Sequence, residues 1–197
     1  MPQFLPIPYI KIGGQDVPSE FMDALLELVV DTSLYLPSMF TIKVLDKQLK
    51  WADDTLLDIG KEVEISLKTG EEAGGEQAIL IKGEITALEP DFSAQGDATM
   101  LVRGYEKSHR LHRGKKIRTF LLIKDSDLAS RLAGEAGLTP EVDTTSVTYD
   151  YVLQNNQTNM EFLMARAERI GYQVCAAEGK LYFKKGEAKL GDGPELV

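Results

Sequence analysis

Apolar and polar side chains alternate through most of the first 123 residues, with Gly, Pro, Asp or Asn at the breaks, which is the period of strands rather than helices. The pattern predicts strands from Phe4 to Ile12, Met22 to Asp31, Met39 to Asp46, Glu62 to Lys68, Ala78 to Leu88, Thr99 to Tyr105 and Arg118 to Ile123. Seven such strands suffice for an antiparallel sheet curled into a barrel. In Lys61–Lys68, Val63, Ile65 and Leu67 fall on one face and Glu62, Glu64, Ser66 and Lys68 on the other, so one side is expected in the core and one in water. Gly83, inside a long apolar run, suggests a bulge or bend. The acidic, glycine-rich stretch from Gly70 to Gln77 reads as a hairpin tip.

After Ile123 the period changes to that of helices. Asp125, Ser126 and Asp127 supply a helix start, Leu128, Ala129, Leu132, Ala133 and Ala136 an apolar side, and Gly137 a stop before Pro140. Thr158-Asn159-Met160-Glu161 has the spacing of a capping box and leads into Leu163, Ala167 and Ile170, ending at Gly171. Tyr172 to Ala177, a Glu178-Gly179 turn and Leu181 to Lys184 read as a hairpin. The expected fold class is therefore mainly β with a smaller α+β region. A β-barrel domain over 1–123 is followed by a helix, helix and hairpin region over 124–197 that continues in a longer parent.

Composition narrows the function classes. Of 197 residues 43% are hydrophobic, enough for real cores, and the net charge of -9 disfavours nucleic-acid binding through the overall field. A single cysteine, Cys175, rules out an internal disulfide framework, and its apolar surroundings suggest a small buried thiol. No apolar stretch reaches the roughly 18 residues of a membrane span, so no stable membrane insertion is expected, and the N-terminus lacks a signal-peptide pattern, which makes cytoplasmic assembly the default.

Motifs of catalysis are scarce. No nucleophile elbow, phosphate-binding loop or dinucleotide fingerprint follows a strand. His109 and His112 have metal-ligand spacing but stand among Arg103, Arg110, Arg113, Lys115 and Lys116, a field hostile to a cation. Asp53, Asp54 and Asp58 sit in a loop-like stretch, and Trp51, Tyr149 and Tyr151 are the aromatics a surface-binding module would use. We therefore expect no enzyme, no cofactor and no metal, with a cell-wall hydrolase or a surface-binding module as the alternatives. The basic run from Arg103 to Arg118 suits a complementary contact with a protein partner.

Two motifs carry a resemblance. Arg103-Gly104-Tyr105-Glu106, His109-Arg110-Leu111, Arg113-Gly114 and Arg118-Thr119-Phe120 form the first. Gln154-Asn155-Asn156-Gln157-Thr158-Asn159-Met160-Glu161-Phe162, Ala167-Glu168 and Gly171-Tyr172 form the second. In this order and spacing they resemble the VgrG and phage late-control-D proteins, the tail hub and spike of contractile injection systems. The chain departs from that pattern at Glu106, Asn156, Thr158 and Asn159. The resemblance implies a homotrimer at the tip of the inner tube, connecting tube and spike. Its partners would be the inner tube or its initiator, other baseplate proteins and a spike-tip protein, in a phage tail or a phage-like particle released outside the cell. It marks Arg103, Gly104, Tyr105, His109, Arg110, Leu111, Arg113 and Gly114 as family-motif or protein-contact residues.

Overall fold

The structure is a computed structural model that describes residues 7–33, 36–47, 49–68, 77–92 and 98–186. The expected hairpin tip after Gly70 and the first residues of the predicted strand from Phe4 lie outside these. The chain divides into two compact units, Met1–His109 and Arg110–Val197.

The first unit is built on β1 (Ile7–Ile12), β2 (Gln15–Asp16), α1 (Ser19–Asp23), β3 (Leu25–Asp31), β4 (Met39–Leu45), β5 (Glu62–Lys68), β6 (Gln77–Phe92) and β7 (Ala98–Tyr105). These strands make one antiparallel sheet in the order β2-β1-β5-β6-β7-β4-β3. The sheet wraps a single core. Ile10 and Ile12 of β1, Phe40, Ile42 and Val44 of β4, Val63 and Ile65 of β5, Ile81 and Ile85 of β6, and Met100 and Val102 of β7 share one cluster, which Phe21 of α1, Trp51 and Leu57 close. Phe21 meets Trp51 edge to face at 5.0 Å, a favoured aromatic geometry. Pro18 precedes α1 in an extended conformation, so the chain enters a helical turn there, and Met22 and Asp23 belong to it rather than to the strand expected to start at Met22.

Two local irregularities modify the expected alternation. The β5–β6 register shifts between Ile65 and Ser66, so Ser66 is buried beside Ile65 and Leu67 turns partly outward, the reverse of the simple period-two reading. Gly83 is a point of close approach: a Cβ there would lie 2.6 Å from the Tyr105 carbonyl oxygen, and the bulge falls further along β6, between Ile85 and Ala87.

The second unit contains β8 (Lys116–Lys124), α3 (Asp125–Ala136), β9 (Thr139–Val142), β10 (Thr148–Gln157), α4 (Asn159–Arg169), β11 (Tyr172–Ala177) and β12 (Lys180–Lys185). A one-turn helix, α2 (His109–His112), stands at its start. The Arg118–Ile123 strand, expected in the first sheet, belongs here: it lies in β8 and pairs antiparallel with β10, which gives a two-stranded ribbon. Alternation fixes which face of a strand is buried, not which strand it joins, and Gln15–Asp16 is the seventh strand of the first sheet instead. β12 lies between β11, antiparallel to it, and β9, parallel to it.

Both helices pack as their apolar sides demand. Leu128, Ala129, Leu132, Ala133 and Ala136 of α3 join Phe162, Leu163 and Ala167 of α4 with Phe120, Val152, Leu181 and Phe183 of the strands. Gly137 ends α3 at φ +74, and Leu138 N–H returns to the Ala133 carbonyl. The start of α3 differs from expectation: Lys124 precedes it without a side-chain cap, and Thr145 hydroxyl accepts the Ser126 N–H from outside the helix. The capping box of α4 is formed as predicted, with Thr158 Oγ1 accepting the Glu161 N–H at 3.1 Å and Glu161 accepting the Thr158 N–H at 2.8 Å. Cys175, expected buried, is exposed, because the inward positions of β11 are Tyr172, Val174 and Ala176 and it falls between them.

Candidate functional site

The motif residues are placed as follows. Gly104 sits in β7 where a Cβ would come within 2.1 Å of Phe40 Cζ and 2.4 Å of the Glu84 carbonyl oxygen; only glycine lets the Phe40 ring lie in the core here. Arg103, one position earlier, faces outward and pairs with Glu89 at 3.3 Å. Tyr105 ends β7 with its ring 6.0 Å from His109. His109 is buried: Nδ1 lies 2.9 Å from the Glu106 carbonyl, and Nε2 stands 3.3 Å from Glu84 Oε1 of β6, off the line of a hydrogen bond. Arg103 and Gly104 therefore serve the sheet itself, and Tyr105 and His109 the turn by which the chain leaves it.

Beyond them, Arg110 is exposed and donates to the Ala136 carbonyl at the end of α3. Leu111 is fully buried in the second core. Arg113 is exposed, and Gly114 turns the chain at φ +66 into β8.

The two sequence motifs, separated along the chain, meet in the second unit. Arg118 uses its whole guanidinium: Nε donates to Gln154 Oε1 at 2.7 Å, Nη1 to Glu135 Oε1 and Oε2 at 3.0 and 2.8 Å, and Nη2 to Asn159 Oδ1 at 3.0 Å. Gln154 has no exposure and donates in turn to the Gln157 carbonyl and Asn159 Oδ1. Beside this cluster Phe120 of the first motif stacks on Phe162 of the second, centroids 5.9 Å apart. Burial alone would raise the Glu135 carboxyl, but the hydrogen bond and charge of Arg118, with Lys116 and Arg131, outweigh it and hold it below the ordinary range.

A second buried pair braces the helices. Arg166 Nε of α4 donates to Asp125 Oδ1 of α3 at 2.6 Å, with the guanidinium 4.4 Å from the Tyr149 ring centroid. Burial would depress the arginine, yet the Asp125 bond and charge raise it further.

These clusters tie elements together. The carboxylates considered for acid–base work are dispersed in role: Asp54 caps the short turn at Thr55–Leu57 and Asp53 and Asp58 are exposed. No group of three or more His, Cys, Asp or Glu arranged for a metal occurs among the described residues. Trp51 is a core residue and Tyr149 lies under Arg166, so of the three aromatics considered for surface binding Tyr151 is the one exposed, at 57%. No helix among the described residues is long and apolar enough to cross a membrane.

The surface feature that sequence reasoning missed is the outer face of the β8–β10 ribbon. Phe120, Val152 and Gln154 turn to the core, while Ile117, Leu121, Tyr151 and Leu153 stand on the exposed side, Tyr151 directly opposite Leu121 in the register. Leu122 is 74% exposed as well, in the left-handed backbone region at φ 49. The signal for this face was present in the run Phe120-Leu121-Leu122-Ile123, which has more apolar residues than one buried face uses.

The arrangement is a fold shared with phage tail proteins. The chain is similar to the prophage MuSo2 43 kDa tail protein from Shewanella oneidensis, at TM-score 0.66 and 16% identity over 91% of this chain and 54% of that one. It is similar to a tail protein from Neisseria meningitidis MC58, at TM-score 0.60 and 14% identity, covering 90% and 50%. A third likeness is to the E. coli c3393 protein, described as a component of the type VI secretion system with structural similarity to T4 bacteriophage tail proteins gp27 and gp5. There the TM-score is 0.56 and the identity 15%, covering 93% of this chain and 50% of that one. The chain thus spans about half the length of these proteins. No curated protein matches it at the sequence level. The family model described as Alg8 N-terminal domain matches residues 8–193, and the chain belongs to that family.

Proposed function

We propose that this chain is the front portion of a hub and spike protein of the VgrG and late-control-D kind. In this reading it forms a homotrimer at the tip of the inner tube of a phage tail or contractile injection system and joins the six-fold tube to a three-fold spike. The observation that carries the reading is that the likeness to tail proteins runs through both units, over about nine-tenths of the chain. The residues of the resemblance support it by their roles: Gly104, His109, Leu111, Arg118 and Gln154 all shape or brace the scaffold, as a part whose work is geometric requires. Inner tube, tube initiator, other baseplate proteins and a spike tip are the partners, and no catalytic step is assigned.

Imaging tail particles from cells with and without the parent protein tests this. The expected result is particles that lack the hub, or no tubes at all, when the protein is missing, with labelled protein found at the tube tip when it is restored. Intact particles in its absence, or particles free of the protein, would overturn the reading.

A further inference from the structure

We infer that the outer face of the β8–β10 ribbon docks on the acidic β3 edge of a second copy of this chain, in a head-to-tail contact. The inference rests on the hub reading and deepens it by naming the two faces that would meet.

The ribbon has only two strands, and among the described residues neither outer edge is paired to a third. A two-stranded ribbon is weak unless both faces are covered, and unpaired edges are templates for another chain. Here one face lies on the core and the other presents Ile117, Leu121, Leu122, Tyr151 and Leu153. Leu122 adopts a backbone conformation that β-carbon sterics disfavour, and it follows Leu121 outward without turning inward. Strain that sets two leucines in succession on the surface points to a contact that uses them.

Charge selects the occupant. Residues 110–118 contain Arg110, Arg113, Lys115, Lys116 and Arg118 and no acid. Arg113 and Lys115 are exposed at the mouth of the ribbon. Residues 1–109 hold nine Lys and Arg against nineteen Asp and Glu, a net -10, while residues 110–197 hold thirteen against twelve, a net +1; the two add to the chain's -9. Ribbon against ribbon would oppose the two cationic clusters, which disfavours a two-fold contact.

The complement is on the first unit. β3 ends the seven-stranded sheet with one edge unpaired among the described residues. It exposes Leu26 and Val29 at 55% and 43%, with Asp23, Glu27 and Asp31 exposed around them. An apolar strip flanked by carboxylates thus matches an apolar strip that carries cations at the end where the chain enters it, with Asp150 the exposed acid beside Tyr151. Two different patches of one chain in contact generate a ring when the rotation closes, which a three-fold hub needs.

The test uses the whole 197-residue chain with Cys175→Ser. One preparation carries Val29→Cys, another Leu121→Cys, and the two are oxidised each alone and, while still reduced, together in an equimolar mixture. A covalent dimer in the mixture alone, and a ladder ending at a closed trimer when both cysteines share one chain, is the expected result. In sedimentation, Leu121→Asp with Leu122→Asp weakens self-association about tenfold or more. Arg113→Glu weakens it too, and Glu27→Arg added to Arg113→Glu restores part of the loss. Circular dichroism checks that each variant is folded.

Self-linking of Leu121→Cys would overturn the inference in favour of a two-fold contact. A chain monomeric at millimolar concentration, or an oligomer indifferent to both changes, would overturn it as well. None of these results touches the hub reading, which is decided by the imaged particles.

Discussion

Replacing Arg118 by Met isolates the polar cluster that joins the two sequence motifs. Methionine keeps an unbranched stem near Phe120, whose ring centroid lies 5.0 Å from the guanidinium carbon, and removes every donor. Gln154 Oε1 loses its charged partner in a site with no solvent exposure. An acceptor stranded there costs about 1–3 kcal/mol. Asn159 Oδ1 keeps the Gln154 amide at 3.3 Å, so its loss is smaller. The Glu135 side chain is 32% exposed, so solvent screening limits that pair to about 0.5–1 kcal/mol. Together we expect destabilisation of the second unit by about 2–4 kcal/mol, a fall in melting temperature on the order of 10 °C.

The assay is hydrogen exchange on peptides spanning β10 and α4, with thermal melts at neutral and acid pH. Because the folded Glu135 carboxyl lies below its unfolded value of 4.5, its contribution is complete above that value and is lost as pH falls through the folded one. Arg118→Met therefore flattens the acid limb of the stability curve, since the main cause of the lowering is gone. A variant that melts within about 2 °C of the parent, or a Glu135→Gln variant as damaging as Arg118→Met, would refute the reasoning.

Three further outcomes follow from the packing. Gly104→Ala drives a methyl into Phe40 and the Glu84 carbonyl and is expected to cost about 2–3 kcal/mol, read as an earlier transition in the fluorescence of Trp51, the single tryptophan. Asp125→Ala leaves Arg166 charged and buried at about 3–5 kcal/mol, whereas Asp125→Leu combined with Arg166→Met recovers most of that in urea melts. Thr158→Ala removes the cap of α4 at about 1 kcal/mol and speeds exchange in its first turn. In the parent, the Thr158 N–H, more than any other partner, holds the Glu161 carboxyl below its ordinary value, so that support is present above 4.5 and fades as pH falls.

Strands such as Met39–Leu45, which alternates throughout, and Glu62–Lys68, which alternates as far as Ile65, were legible because a half-buried sheet imposes its period on the residues. So were the helix ends at Gly137, Thr158 and Gly171, whose chemistry is local. What depended on distant partners was not. Lys116–Lys124 has a strand pattern that says nothing of joining Thr148–Gln157, and Thr139–Val142 is a short strand containing Pro140 that pairs only because β12 reaches it. Gln154 reads as a polar surface residue and is fully buried, since Arg118, 36 residues earlier, supplies its partner. The two motifs were visible as words in sequence, but their meeting in one cluster required the fold.

Among the described residues β12 is the last strand of the second unit and the middle one of its sheet, and it brings Leu181 and Phe183 into the core. During synthesis the strands on either side, Thr139–Val142 and Tyr172–Ala177, leave the ribosome with no neighbour between them. The second unit must therefore wait, its helices half-covered, until about residue 185 has emerged, whereas every strand of the first sheet is available by Tyr105. A nascent chain halted between those points would be the form most in need of a chaperone.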